Sequence, residues 1–301
     1  KKKNISYIFS KINFDLNLTK FNSSNLDFNF EKVTNDNFLK VFDSNLNENT
    51  TTIKPSDATV MNSELVLNLN HENYNLTTGF SSYENLQNDK NDRYHYILPY
   101  YDFNKTIISN FIDGSLNLNS NGSNDLNNTN QLTTKITNNL SYTSSDYFTK
   151  SGFKNNININ LKNLNSVGKN VAEYKTSPQM ELSSLFEANT SIPLKKGTKN
   201  NMSYLTPKAS ARFNPSDMKN HKNADKIINV GNIFSIDRFG LGDSYESGRS
   251  ITLGVDYRNE KSKKLDNEIL DEMNKYFEFK LATVFRDKEE NFIPSKSTLN
   301  K

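Results

Sequence analysis

The chain has 301 residues, of which only 34% are hydrophobic, yet it carries 20 Phe and 14 Tyr. That is too little apolar material for a thick dry core and too many aromatics for a disordered chain. Its 37 basic and 34 acidic residues are interspersed and leave a formal charge of +3, which implies no strong electrostatic partner; no basic cluster interleaves with aromatics, so no nucleic acid is expected.

The absence of cysteine removes disulfides, thiolate metal sites and a cysteine nucleophile from this stretch. No run approaches the roughly 18 to 20 apolar residues that a membrane-crossing helix needs. A β-barrel in a membrane reconciles the composition, because each strand presents one face to lipid and the other to water. Lys1-Lys2-Lys3 leads into alternating residues and not into the apolar core of a signal peptide, so an exported protein would carry this sequence internally.

Along the chain the dominant periodicity is two, the mark of strands with unlike faces. Ile12, Phe14, Leu16 and Leu18 alternate with Asn13, Asp15 and Asn17, and Leu26, Phe28 and Phe30 repeat the pattern after a short break at Asn22-Ser23-Ser24. Thr34 to Thr59 reads as a long polar connector. Leu65, Leu67 and Leu69 form the next run, and Arg93-Tyr94-His95-Tyr96 reads as an aromatic interfacial stretch. Ser120 to Asn130 reads as a long polar connector, and the Ser/Asn/Gly-rich stretch from Leu118 to Thr129, which has the composition of a linker, is expected to form a surface loop because strand-like runs flank it on both sides. Ile157, Ile159 and Leu161 then stand between asparagines.

From Leu205 onward Leu205, Pro207, Ala209, Ala211 and Phe213 are apolar while Thr206, Lys208, Ser210 and Arg212 are polar. This assigns Lys208 and Arg212 to a water-filled lumen, since a charge facing lipid at the midplane costs about 2 to 4 kcal/mol. Pro207 lacks a ladder donor and is expected to mark a bulge or edge-like kink. Asn214 to Asp225 reads as another long connector. Ile251-Leu253-Val255-Tyr257 and Phe277-Phe279-Leu281 close the series. Between them Leu265, Ile269, Leu270 and Met273 fall at helical spacing within Lys263 to Tyr276, where a short helix and a plain hairpin loop fit equally.

These runs predict an all-β fold: an incomplete antiparallel transmembrane β-barrel over 1–301, roughly 12 to 14 strands of a larger barrel, with short turns alternating with long loops. Catalytic chemistry has no visible address. His71, His95 and His221 are far apart without metal-ligand spacing, and pairs such as Asp271-Glu272 and Glu289-Glu290 sit in charged connectors. Gly240 and Gly242 form a Gly-x-Gly that Asp243-Ser244-Tyr245 follows in place of a helix carrying a third glycine, so no nucleotide, cofactor or metal is expected.

One stretch is distinctive: Asn232-Ile233-Phe234-Ser235-Ile236-Asp237-Arg238-Phe239-Gly240, then Asp243, Glu246, Gly248, Arg249, Leu253 and Gly254. It resembles the LptD family of lipopolysaccharide-assembly proteins, in which a strand end runs into Asp-Arg, a Gly/Asp turn and a glycine-containing strand. Leu205-Thr206-Pro207-Lys208-Ala209 with Arg212-Phe213, Pro215 and Met218 is similar to another landmark of that family. So are Asp36-Asn37-Phe38-Leu39 before Phe42-Asp43, Ile97-Leu98-Pro99-Tyr100-Tyr101, and Phe285-Arg286 before Asn291-Phe292, all in the family's order.

The resemblance implies a cell outer-membrane barrel that receives lipopolysaccharide from a periplasmic bridge protein, holds a lipoprotein plug (LptE-like) and is folded by the outer-membrane insertion machinery. It implies a transport component without catalysis. The family's periplasmic domain, gate strands and cysteines lie outside this stretch. Asp237, Arg238, Gly240, Asp243, Pro207, Lys208 and Arg212 are the motif residues, with two readings for Asp237 and Arg238: a structural rim ion pair, or a lumenal network ordering the barrel mouth. A porin-like or ligand-gated uptake barrel and a soluble surface adhesin share the alternation and stay open as rivals.

Overall fold

The computed structural model describes residues 6–41, 53, 55, 57–88, 92–107, 113–172, 174–198, 200–242, 244–263 and 272–299. The chain is all-β, and among the described residues only 38–41 form a helical turn. Its strands are β1 Tyr7–Asp15, β2 Ser23–Val33, β3 Val60–His71, β4 Tyr74–Asn85, β5 Tyr94–Ile107, β6 Gly114–Asn127, β7 Gln131–Ser144, β8 Tyr147–Phe148, β9 Lys154–Lys169, β10 Gln179–Ser191, β11 Leu194–Thr198, β12 Asn201–Asn214, β13 Gly248–Lys263 and β14 Glu272–Arg286. All 14 belong to one antiparallel sheet, and 12 of them form a path in chain order; the short β8 and β11 pair only with β9 and β12. β1 and β14 end that path, so the sheet is not closed.

The strands form where side chains of unlike polarity alternate, because the pleat sends neighbours to opposite faces. The register keeps like with like. Ile12 faces Phe28, Phe28 faces Leu65 and Leu65 faces Phe80, while Phe14, Leu26 and Leu67 line up beside them. On the other face Asn68 Nδ2 donates to Asp27 at 3.0 Å and Thr77 Oγ1 donates to Asn68 at 2.9 Å, with Asn13 donating to the same Asp27.

The stretch expected to be a loop, Ser120 to Asn130, is instead strand through Asn127, and only 128–130 turn the chain. The ladder continues after the apolar alternation stops, because here polar residues replace Leu on the apolar face and bond across strands. Tyr101 and Ser120 hydroxyls lie 3.1 Å apart, Ser120 donates to Asn138 at 2.7 Å, and Asn138 to Asn163 at 3.2 Å. Asn128 and Thr129 make the tight reversal with φ of 48° and 59°. This turn after β6 and the two-residue turn after β3 leave the sheet at opposite ends, so short and long connectors do not alternate strictly.

Two further expectations are corrected. Pro207 causes no bulge: β12 pairs with β13 in unbroken register from Asn201 to Asn214. The interruption lies in the neighbouring strand. β10 pairs with β12 as far as Ser191↔Lys208, β11 takes over at Leu194↔Leu205, and Pro207 accepts from the Ile192 N–H in the gap. In an antiparallel ladder N–H and C=O of one residue point the same way, so the missing donor faces that gap. A helix reaching Tyr276 is also excluded, since β14 starts at Glu272; 264–271 lie outside the described residues, as do Phe42 and Asp43.

The chain divides into two compact units. The first comprises Lys1–Ile107, Asn117–Asn139 and Asn163–Glu181. Its buried apolar cluster is small: Val33, Phe38, Leu39, Met61 and Leu86, with Phe9 against it and Tyr7 stacked on Phe38. Arg93 ties the cluster down through Asp36 at 2.9 Å and Glu84 at 3.1 Å. The second comprises Ile108–Leu116, Leu140–Lys162 and Leu182–Lys301, and holds the larger cluster.

Within the second unit the usual distribution is inverted. Ile157, Leu161, Phe213, Ile251, Leu253, Phe279, Leu281 and Phe285 are exposed, whereas Asn158, Asn160, Lys162, Glu187, Ser210, Arg212, Ser250 and Thr252 are buried. These sets occupy opposite faces of the same strands.

Candidate functional site

The polar face of β9, β10, β12, β13 and β14 is covered by the segment 215–247 between β12 and β13 and by residues 287–299 after β14. Met218, Ile228, Ile233, Phe239 and Leu241 from the segment meet Ile293, with Phe234, Ala282, Val284 and Leu299 packed against them. Phe234 reaches the sheet because Gly254 has no side chain: a Cβ there would lie 2.8 Å from the ring and 3.1 Å from the Leu281 carbonyl oxygen. The Lys208 ammonium stands 4.5 Å from the centre of the same ring and pairs with Asp256 at 2.7 Å.

Beneath the segment runs a buried ionic network. Arg238, 2% exposed, places two guanidinium nitrogens on Glu246, the second at 2.6 Å, and bonds Thr252 and Ser250 hydroxyls at 3.2 Å each. Arg286 also contacts Glu246. Arg212 pairs with Glu187, which stands opposite it in the β10–β12 register, and donates to the Ser235 carbonyl of the segment. Glu187 is held in turn by Asn158 at 2.9 Å and Asn189 at 2.7 Å. Lys162 bonds the Gly242 carbonyl at 3.0 Å and lies over the Tyr245 ring. Asn214 donates to the Tyr245 and Glu246 carbonyls.

Burial is the main perturbation. It pushes Arg238 down to about 10, opposed by the negative charge of Glu187. It pushes Tyr245 up to about 12, helped by the charge of Asp237. Both groups therefore keep their ordinary charge at neutral pH. Opposite charges pair within this cluster, Arg212 with Glu187 and both Arg238 and Arg286 with Glu246, which offsets part of the cost of burying them, while Arg238 disfavours the charge on Arg212 and Arg286.

Of the residues singled out in the sequence, Lys208 and Arg212 lie on the sheet face that the segment covers, Lys208 on Asp256 and the Phe234 ring and Arg212 on Glu187, while Arg238 enters the network from the segment itself. Asp237 is beside them: its Oδ1 accepts from the Leu241 N–H at 3.1 Å, while its carbonyl accepts from Gly240 N–H at 3.1 Å. Gly240 takes φ of +61°, a conformation that favours glycine. Pro207 lies on the opposite, apolar face of β12, and Asp243 lies outside the described residues.

Glu187, Lys162 and Tyr245 were missed as site residues, and Glu246 and Arg286 were seen in the motifs without a role. Glu187 and Lys162 were accessible to parity, since both occupy polar-face positions of their strands. The partnership of Glu246 with Arg286 depends on how the segment folds back, which no local spacing records.

His221 and the Ser244 hydroxyl are 2.9 Å apart, and Ser244 is 3% exposed, so the pair ties one part of the segment to another. Among the described residues no group of three or more His, Cys, Asp or Glu could hold a metal, and no helix is long and apolar enough to cross a membrane. Compared with known proteins, the chain matches no family model and no curated protein sequence.

Proposed function

We propose that this chain forms wall strands of an LptD-like outer-membrane barrel that delivers lipopolysaccharide to the outer leaflet. The observation that carries the membrane part is the inversion of the sheet, with bare Leu, Ile and Phe on one face and buried Asn, Ser, Arg and Glu on the other. Water penalises that arrangement, whereas hydrocarbon outside and polar contacts inside favour it. The lipopolysaccharide part rests on the ordered motifs from Asp36 to Phe292.

In this reading the segment 215–247 folds into the lumen, and the network of Arg212, Arg238, Glu246 and Arg286 holds it there. Asn and Ser side chains of the polar face offer hydrogen bonds to sugar. The partners that follow are lipopolysaccharide, a periplasmic bridge protein, a plug lipoprotein and the insertion machinery. No reaction is catalysed. Depletion of the full-length protein in its own cell, followed by assay of surface lipopolysaccharide, tests this: surface lipopolysaccharide falls while a small hydrophilic solute enters unchanged. Normal lipopolysaccharide with impaired solute entry would favour a porin-like or ligand-gated uptake barrel, a second reading that the inward-folded segment also suits.

A further inference from the structure

The apolar face of β12, β13 and β14 is hollowed at one end of the strands. The hollow, about 630 Å³, is lined by Ala211, Phe213, Ile251 and Phe285, with Arg249 and Asp287 at its rim. Register makes it a compact array, since Ala211 faces Ile251, Ile251 faces Phe285 and Phe213 faces Arg249. Phe213, Ile251 and Phe285 are 41%, 52% and 58% exposed, so the floor is bare.

The three arginines around this hollow differ. Arg212 and Arg286 also line it, but their guanidinium groups are engaged by Glu187 and Glu246 on the polar face. Arg249 has a side chain 72% exposed, with its guanidinium 5.4 Å above the Phe213 ring and its Nε 4.0 Å from Asp287. At that distance Asp287 leaves the planar donor fork open, and Asp287 itself accepts from the Arg249 backbone N–H at 3.3 Å. The ring beneath restricts where the fork can point.

We infer that this hollow binds a phospholipid with an anionic headgroup, drawn from the leaflet around the sheet: one acyl chain along Ala211, Phe213, Ile251 and Phe285, and the phosphate on the Arg249 guanidinium. A planar fork over an apolar floor matches a phosphate joined to a hydrocarbon chain. Asp287 opposes an anion and sets the affinity below what Arg249 alone would give. The inference rests on the proposal that the apolar face meets a bilayer.

The test uses the 301-residue chain refolded in nonionic detergent micelles doped with phosphatidylglycerol or phosphatidylcholine, with retained lipid counted after gel filtration. Flotation with liposomes is measured in parallel. The wild type retains phosphatidylglycerol in preference to phosphatidylcholine, Arg249→Gln reduces that retention roughly tenfold, and Asp287→Asn increases it. Both variants float as the wild type does. Flotation with equal retention of the two lipids, or retention unaltered in Arg249→Gln, overturns the lipid site and leaves the membrane reading standing. A chain that fails to float sinks both. A micellar dimer that buries Phe213 and excludes lipid also overturns the site, by showing a second copy as the occupant.

Discussion

Arg238 and Arg249 are the same residue type at opposite extremes of burial, and they make the energetics of charge in this chain plain. Arg238 is 2% exposed and shares Glu246 with Arg286, so removing Glu246 strands two desolvated guanidinium groups. Glu246→Ala is expected to lower unfolding stability in micelles by about 3 to 5 kcal/mol, against less than about 0.5 kcal/mol for Arg249→Ala. Comparable losses in urea titrations of the two variants would remove the network from its holding role.

Gly254 makes a second prediction at this scale. Gly254→Ala pushes a methyl group into Phe234 and should cost about 1 to 3 kcal/mol, as the ring shifts away from the Lys208 ammonium. A Phe234→Ala background should absorb most of that cost, which a double-mutant cycle reads directly.

Tyr245 gives the pH dependence. Its phenol ionises at about 12 when folded, against an ordinary value of about 10 in the unfolded chain. The neutral phenol thus contributes stability that is complete below about pH 10 and lost as pH rises towards 12. Arg238, pushed down to about 10, acts in the opposite sense over the same interval, because the folded state releases that proton first. Comparing wild type with Tyr245→Phe isolates the phenol: the variant should lose less stability between pH 10 and 12.

At the scale of elements, strand faces decide what a substitution costs. Leu253 and Thr252 are neighbours on β13 with opposite exposures, 44% and 0%. If the apolar face meets hydrocarbon, Leu253→Arg costs about 2 to 4 kcal/mol near the midplane, falling towards zero near an interface. The same change in water would be nearly neutral, so unfolding titrations in bilayers separate the two cases.

Most strands were legible because alternation is a local signal: Leu65 to Leu69, Leu205 to Phe213 and Ile251 to Tyr257 lie within strands, whereas the run from Ile12 to Leu18 is strand only as far as Asp15, the turn takes up Leu16 to Asn22, and Ser23 and Ser24, expected in the break, open β2. β6 was not legible beyond Leu118, since Ser120, Asn124 and their partners bond across strands where an apolar side chain was expected. Pro207 was misread because its effect depends on which neighbour its nitrogen faces. The network was half legible: Lys208 and Arg212 follow from parity, while Glu246 and Arg286 meet only through the return of a distant segment.

At the scale of the whole molecule, the sheet path ends on β1 and β14, each with one neighbour, so a barrel wall built from these strands would present two open edges. The isolated chain is expected to aggregate in detergent-free buffer, and a monodisperse, cooperatively melting species there would contradict the membrane reading. A soluble adhesin would bury the apolar face against a second sheet; among the described residues every strand belongs to one sheet.

The two faces of each strand are expected to meet different media, lipid on one side and water or the covering segment on the other. The chain lacks cysteine, so single spin labels can be placed without background at 250 to 253, 255 and 257 of β13 in reconstituted bilayers, leaving Gly254 unaltered. Collision with oxygen, which concentrates in lipid, should peak at 251, 253, 255 and 257 and exceed collision with a water-soluble nickel complex there, while 250 and 252, covered by the segment 215–247, should be reached poorly by both. A flat profile, or nickel access at 251, 253 and 255 equal to that at an exposed loop, would contradict this expectation.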